Sequence, residues 1–70
     1  MNKPTRRVRD WVLRHPDVQE YANAVPTLPL AEKGILLRRA ANLAREELPG
    51  VDLNTVDWDG IARDVLPGSH

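Results

Sequence analysis

The chain predicts an all-α fold, a compact bundle of about four short helices, and three observations carry that prediction. Six prolines stand almost wherever an amphipathic segment begins or ends, and proline fits a first helical turn but breaks a helix interior. Between the prolines, apolar residues recur with the 3.6-residue period of a helix. No segment alternates apolar and polar residues for long enough to read as a strand.

The first helix is expected over residues 4–14. Val8, Trp11 and Val12 fall at i, i+3 and i+4 and form its inner stripe, while Arg6, Arg7, Asp10 and Arg14 lie mostly on the other side. His15 precedes Pro16, and a residue before proline is pushed out of helical geometry, so the helix stops there. Pro16 then opens a second helix over residues 16–24, with Asp17 and Glu20 suited to its positive N-terminal end. Val18, Tyr21, Ala22 and Val25 make its apolar side. The segment from Pro26 to Pro29 is a rigid connector. Its P-x-x-P spacing has neither a basic flank nor a proline-rich context, so it reads as a loop and not as a ligand for an aromatic groove.

The third helix is expected to be the longest, residues 30–48. Leu36, Leu37, Ala40, Leu43, Ala44 and Leu48 share one face, and Glu32, Lys33, Arg38, Arg39, Asn42, Arg45 and Glu46 fall largely on the other. Ala40, Ala41 and Ala44 would let another helix approach closely. Pro49 and Gly50 stop it. The link from Val51 to Thr55 is partly apolar and should pack down. The fourth helix, residues 56–66, starts near Thr55 or Asp57, either of which can cap it. Trp58, Ile61, Ala62 and Val65 recur at i, i+3, i+4 and i+7 along it.

Seventy residues make at most one domain, here residues 1–70 with 68–70 set apart as a tail. A chain this short buries only about 60% of its unfolded surface, so its stability is a few kcal/mol or depends on a partner. Cysteine is absent, which removes disulfides and thiolate chemistry and favours a cytosolic setting, since small secreted domains usually carry disulfides. No stretch approaches the roughly 18 apolar residues of a membrane span, and no signal-peptide core follows the N-terminus.

The net charge is zero but unevenly spread. Residues 1–15 carry Lys3, Arg6, Arg7, Arg9 and Arg14 against Asp10, a net of +4; residues 49–70 carry Asp52, Asp57, Asp59 and Asp64 against Arg63, a net of −3. The two ends are therefore able to attract each other, within one chain or between two, and the basic end also suits nucleic acid. Arg6, Arg7 and Arg14 on the first helix, with Arg38, Arg39 and Arg45 on the third, are the candidate contact residues. If the two helices align these faces, a modest basic patch results. Trp11 sits on the apolar stripe, where it fills core and does not stack on bases.

Trp58-x-x-Ile61-Ala62-x-x-x-Leu66-Pro67-Gly68 resembles the middle of Myb/SANT-type repeats and, more loosely, of bacterial helix-turn-helix domains. The resemblance covers about the last 40 residues, with the third helix and Pro49-Gly50 standing for the first helix of such a repeat. It implies that the tryptophan and the Ile-Ala pair face the core and that Leu-Pro-Gly forms the turn before a helix that enters the major groove. Two departures limit it. The tryptophan of the first helix is missing, and Ser69-His70 stands where the DNA-reading helix would begin. The resemblance thus carries fold and no DNA contact, and an amphipathic core helix accounts for the same residues. Asp57, Asp59 and Asp64 make this helix acidic, which repels phosphate. The abrupt ending also fits a domain cut from a longer chain.

Catalytic patterns are missing from the sequence. The one serine is Ser69, no nucleophile elbow surrounds it, and glycines 34, 50, 60 and 68 are too scattered for a phosphate loop. His15 and His70 have no metal-ligand spacing, and His15 before Pro16 suits a helix terminus. The expectation is a small non-enzymatic helical interaction module that binds a protein partner or self-associates, as a regulator, inhibitor, antitoxin-like protein or assembly factor. The alternative is a small DNA-binding regulator of helix-turn-helix-like type that uses the basic N-terminal helix. No cofactor, metal, membrane or small-molecule substrate is expected in either case.

Overall fold

The computed structural model describes residues 1–66. Four helices carry the fold: α1 (Lys3–Arg14), α2 (Pro16–Ala22), α3 (Leu30–Leu43) and α4 (Trp58–Val65), with single 3₁₀ turns at Arg45–Glu47 and Leu53–Thr55 between the last two. Among the described residues there is no strand. Pro67, Gly68 and the expected tail lie outside the described residues.

Asn2 starts α1. Its side-chain oxygen accepts the Thr5 amide at 2.9 Å, which satisfies one of the donors that a helix start leaves open, and Pro4 in the first turn needs no such partner. Val8, Trp11 and Val12 turn inward as their spacing predicts. His15 breaks the helix before Pro16, at φ −126° and ψ 84°, and α2 follows at once.

α2 is shorter than its apolar pattern suggests. Asn23 leaves helical geometry at ψ 17°, its amide reaching the Gln19 carbonyl and that of Ala24 the Tyr21 carbonyl, so the chain has turned before Pro26 and Pro29. Ala22 is buried and Val18 packs at the core's edge, but Tyr21 and Val25, expected on the inner side, stay exposed.

α3 also ends early. Ala44 departs from the helix at φ −114° and ψ 35°, and a tight turn over Arg45–Glu47 brings Leu48 into the core beside Trp11. A helix continued to Leu48 would have carried the chain roughly 7.5 Å further at 1.5 Å per residue. Leu43, expected on the inner face, stays outside, because it lies about 120° around the helix from the buried Leu37. Lys33, expected on the outer face, is only 2% exposed, one turn before the fully buried Leu37.

Close contact between α3 and α4 falls at Gly34, not at the alanines, of which only Ala41 is fully buried. A Cβ on Gly34 would stand 3.2 Å from the Trp58 carbonyl carbon and 3.1 Å from an Asp59 carboxylate oxygen, so glycine is what allows the crossing. Asp57 caps α4 by accepting the Gly60 amide at 3.1 Å, and Thr55 belongs to the preceding 3₁₀ turn. Ile61, Ala62 and Leu66 are buried, and Trp58 packs against the core while its indole N–H donates to the Leu53 carbonyl at 3.2 Å. Residues 51–56 pack down as expected, with Val51, Leu53 and Val56 in the core.

Two long-range hydrogen bonds fasten α1 to this segment. The Thr5 hydroxyl accepts the Asp57 amide at 2.9 Å, and the Asn2 side-chain amide donates to the Thr55 carbonyl at 2.9 Å. The basic and acidic ends of the chain are thus neighbours, although no ion pair joins them among the described residues.

Candidate interaction surface

The six candidate arginines are all exposed, and the fold divides them. Helical geometry turns successive residues by about 100°, so Arg6 points about a quarter turn from Arg7 on α1, whereas Arg7 and Arg14, two turns apart, share a side. Those two wall a small cleft of about 130 Å³ together with Asp10, Trp11, Glu47 and Leu48. Arg7 reaches the Pro49 carbonyl at 3.4 Å, a long and weak bond. Two carboxylates therefore stand among the two guanidiniums, and the cleft is mixed in sign.

His15 closes one end of this region. Its Nδ1 lies 2.7 Å from the Trp11 carbonyl and its Nε2 lies 3.1 Å from the Glu47 carboxylate, so the ring bridges the end of α1 and the turn after α3. Trp11 stacks obliquely on it at 5.2 Å and is itself core, which leaves its indole without an open face for a base.

On α3, Arg38 and Arg39 point about 100° apart. Arg38 donates to the Asn54 side chain at 2.6 Å and so belongs to the flank near the second 3₁₀ turn. Arg39 lies on the outer face of α3, opposite the buried Leu37 and Ala41, and Arg45 sits in the turn that follows α3. The structure pairs Arg7 with Arg14 and brings no further members of the set into one patch.

A different surface stands out, one that the arginines did not indicate. Helices α2 and α3 pack as a hairpin, and along the outer side of their seam large apolar residues remain uncovered: Leu43 is 84% exposed, Ile35 57% and Tyr21 42%. Two shallow basins lie along this side of α3, the first beside the connector from α2 and the second at the seam with α2 itself. One, about 280 Å³, is lined by Leu28, Glu32, Ile35 and Leu36; the other, about 220 Å³, by Asp17, Val18, Tyr21, Ala40 and Leu43. Single exposed leucines are ordinary on protein surfaces, whereas two apolar basins on one side of a helix, each with a carboxylate in its lining, make a candidate binding surface.

The signal for this surface was present in the chain. Ile35, Leu36 and Leu37 are consecutive, and three consecutive helical residues span about 200° of the wheel, so they cannot all face one core. Leu37 takes the core, and Ile35 is left outside. Leu43 was obscured because Leu36, Leu37, Ala40 and Leu43 spread over about 120° of the wheel, and packing decides which edge of that arc faces the core.

The described part of the helix-turn-helix-like segment resolves as core. Ile61, Ala62 and Leu66 are buried and Trp58 is half-buried, so these four residues of the resemblance pack the bundle. No family model, no curated protein and no solved structure matches this chain.

Proposed function

We propose that this chain is a small, non-enzymatic helical interaction module that binds a protein partner through the α2/α3 seam. The observation that carries the reading is the seam itself. The bundle closes a core of valines, leucines and Ile61 elsewhere, yet leaves Leu43, Ile35 and Tyr21 uncovered on one side. Fully burying a side chain of this kind is worth about 1.5–3 kcal/mol, so a partner that covers three of them gains substantially. The same three add little to the isolated fold. A role as a regulator, inhibitor or assembly factor fits such a module, and a cytosolic setting fits a chain without cysteine.

A nucleic-acid role draws less support, because it asks for a continuous cationic surface. Asp10 and Glu47 interrupt the one pair of arginines that converge. Among the described residues no helix is long and apolar enough to cross a membrane.

Leu43→Glu tests the reading directly. The variant should keep the wild-type circular dichroism spectrum and unfolding midpoint, because Leu43 contributes little to the core, and it should lose its partner in a pull-down from its source organism. Retention of every wild-type partner by a folded Leu43→Glu chain would reject the seam as the binding surface. Steep, salt-sensitive binding to duplex DNA that Arg7→Ala abolishes would favour the nucleic-acid role.

A further inference from the structure

The seam carries a spacing and a charge order as well as apolar area. Glu32, Leu36, Arg39 and Leu43 fall at i, i+4, i+7 and i+11, so they share one face of α3. Leu36 helps to line the first basin and Leu43 the second. The two leucines are seven residues apart, about 10.5 Å along the axis at 1.5 Å per residue. A second helix laid along α3 presents its own residues i and i+7 at that same separation, which is the helix-in-groove mode of recognition. Each basin has one carboxylate at its rim, Glu32 at the first and Asp17 at the second. Arg39 stands on the same face of α3, between Leu36 and Leu43. Read along the seam, the charges run acid, base, acid.

The geometry points to one occupant: an amphipathic helix of a partner protein, with apolar anchors at i and i+7, a cationic side chain beside each anchor and a carboxylate between them. This rests on the interaction reading above and supplies the chemistry of its partner. A second copy of the chain fits the seam less well. Two α3 helices paired antiparallel, each Leu43 seated in the other's first basin, meet at a centre near Arg39. That sets two guanidiniums against each other, and like charges facing across an interface are costly.

Two synthetic peptides of about 18 residues test this, both helix-stabilised and both with leucine anchors seven apart. One has lysines beside the anchors and a central glutamate; the other has glutamates beside the anchors and a central lysine. Titrated into ¹⁵N-labelled chain, the first peptide should shift the amides around Tyr21, Ile35 and Leu43. It should bind about tenfold more tightly than the second, as expected for three partly exposed ion pairs. The triple variant Asp17→Lys, Glu32→Lys, Arg39→Glu should invert the preference. Leu43→Glu should weaken both peptides at least tenfold while leaving the circular dichroism spectrum unchanged. Shifts confined to the α1 side, no binding of the first peptide, or equal binding of the two would each overturn the proposed partner chemistry. Self-association at micromolar concentration that Leu43→Glu abolishes, with both peptides excluded, would replace the partner helix by a second copy. A failed peptide titration alongside a natural partner lost in Leu43→Glu would leave the seam as the binding surface and remove only this occupant. Failure of both experiments would remove the interaction reading as well.

Discussion

Thr5→Val isolates the joint between the two ends of the chain. Thr5 is 1% exposed, and its hydroxyl accepts the backbone amide of Asp57, the residue that caps α4. Valine keeps nearly the same shape but removes the acceptor. The Asp57 amide then loses its partner, and an unsatisfied buried donor costs about 1–3 kcal/mol. The site is only partly buried, so water relieves some of that penalty, and about 1–2 kcal/mol is the expected loss. For a domain of this size each kcal/mol moves the melting midpoint by about 4–8 °C, so the drop should be roughly 5–15 °C. Urea unfolding followed by the fluorescence of Trp11 and Trp58 gives the free energy, and hydrogen exchange gives the location. The Asp57 amide should lose protection in Thr5→Val and keep it in Thr5→Ser, which retains the hydroxyl. A Thr5→Val chain within 0.5 kcal/mol of wild type, with Asp57 still protected, would show that this hydrogen bond does not fasten α1 to α4.

Four further outcomes are expected. Leu37→Ala, at a fully buried position, should cost about 2–5 kcal/mol and leave a chain of this size largely unfolded in thermal melts, whereas Leu43→Glu should change stability by no more than about 0.5 kcal/mol. Asp57→Ala removes the cap that holds the Gly60 amide and should cost about 0.5–2 kcal/mol by urea titration, with Asp57→Asn recovering most of it. Gly34→Ala sets two effects against each other: alanine gains about 1 kcal/mol of helix propensity, but its Cβ meets the Trp58 backbone at 3.2 Å. Overpacking costs about 1–3 kcal/mol, so a net loss near 1 kcal/mol is expected in the same titration. A more stable Gly34→Ala chain would show that α4 can retreat freely.

Much of the fold can be read from local chemistry. Pro16 marks the break between α1 and α2 and Asp57 the start of α4, because each acts through its own backbone or its nearest amides, whereas α3 ends at Leu43, well before the Pro49-Gly50 stop expected for it. The inner stripes of α1 and α4 follow from periodicity, since Val8, Val12, Ile61 and Ala62 each face the single core available to their helix. The candidate site was harder to read. The arginines are conspicuous in sequence, but whether they converge depends on how α1 and α3 are rotated about their axes, and that rotation is set by packing. Leu43 and Tyr21 match an inward pattern equally well in sequence, yet packing turns other residues of their helices, Leu37 and Ala22, to the core and leaves these two outside.

By itself the sequence determined four helices, most of their boundaries, and which residues of α1 and α4 are apolar on one side. Local steric limits and helical periodicity act over a few residues, and nothing distant can override a proline. Only the tertiary structure decided that Asn2 and Thr5 bond to residues more than fifty positions away and that Lys33 turns inward. Only it placed α4 against Gly34 and left Leu43, Ile35 and Tyr21 as an uncovered seam. The physical reason is the number of faces. α3 lies against both α2 and α4, and its apolar residues exceed what those two contacts can cover. Which of them remain outside is settled by the packing of the whole chain and by no local rule.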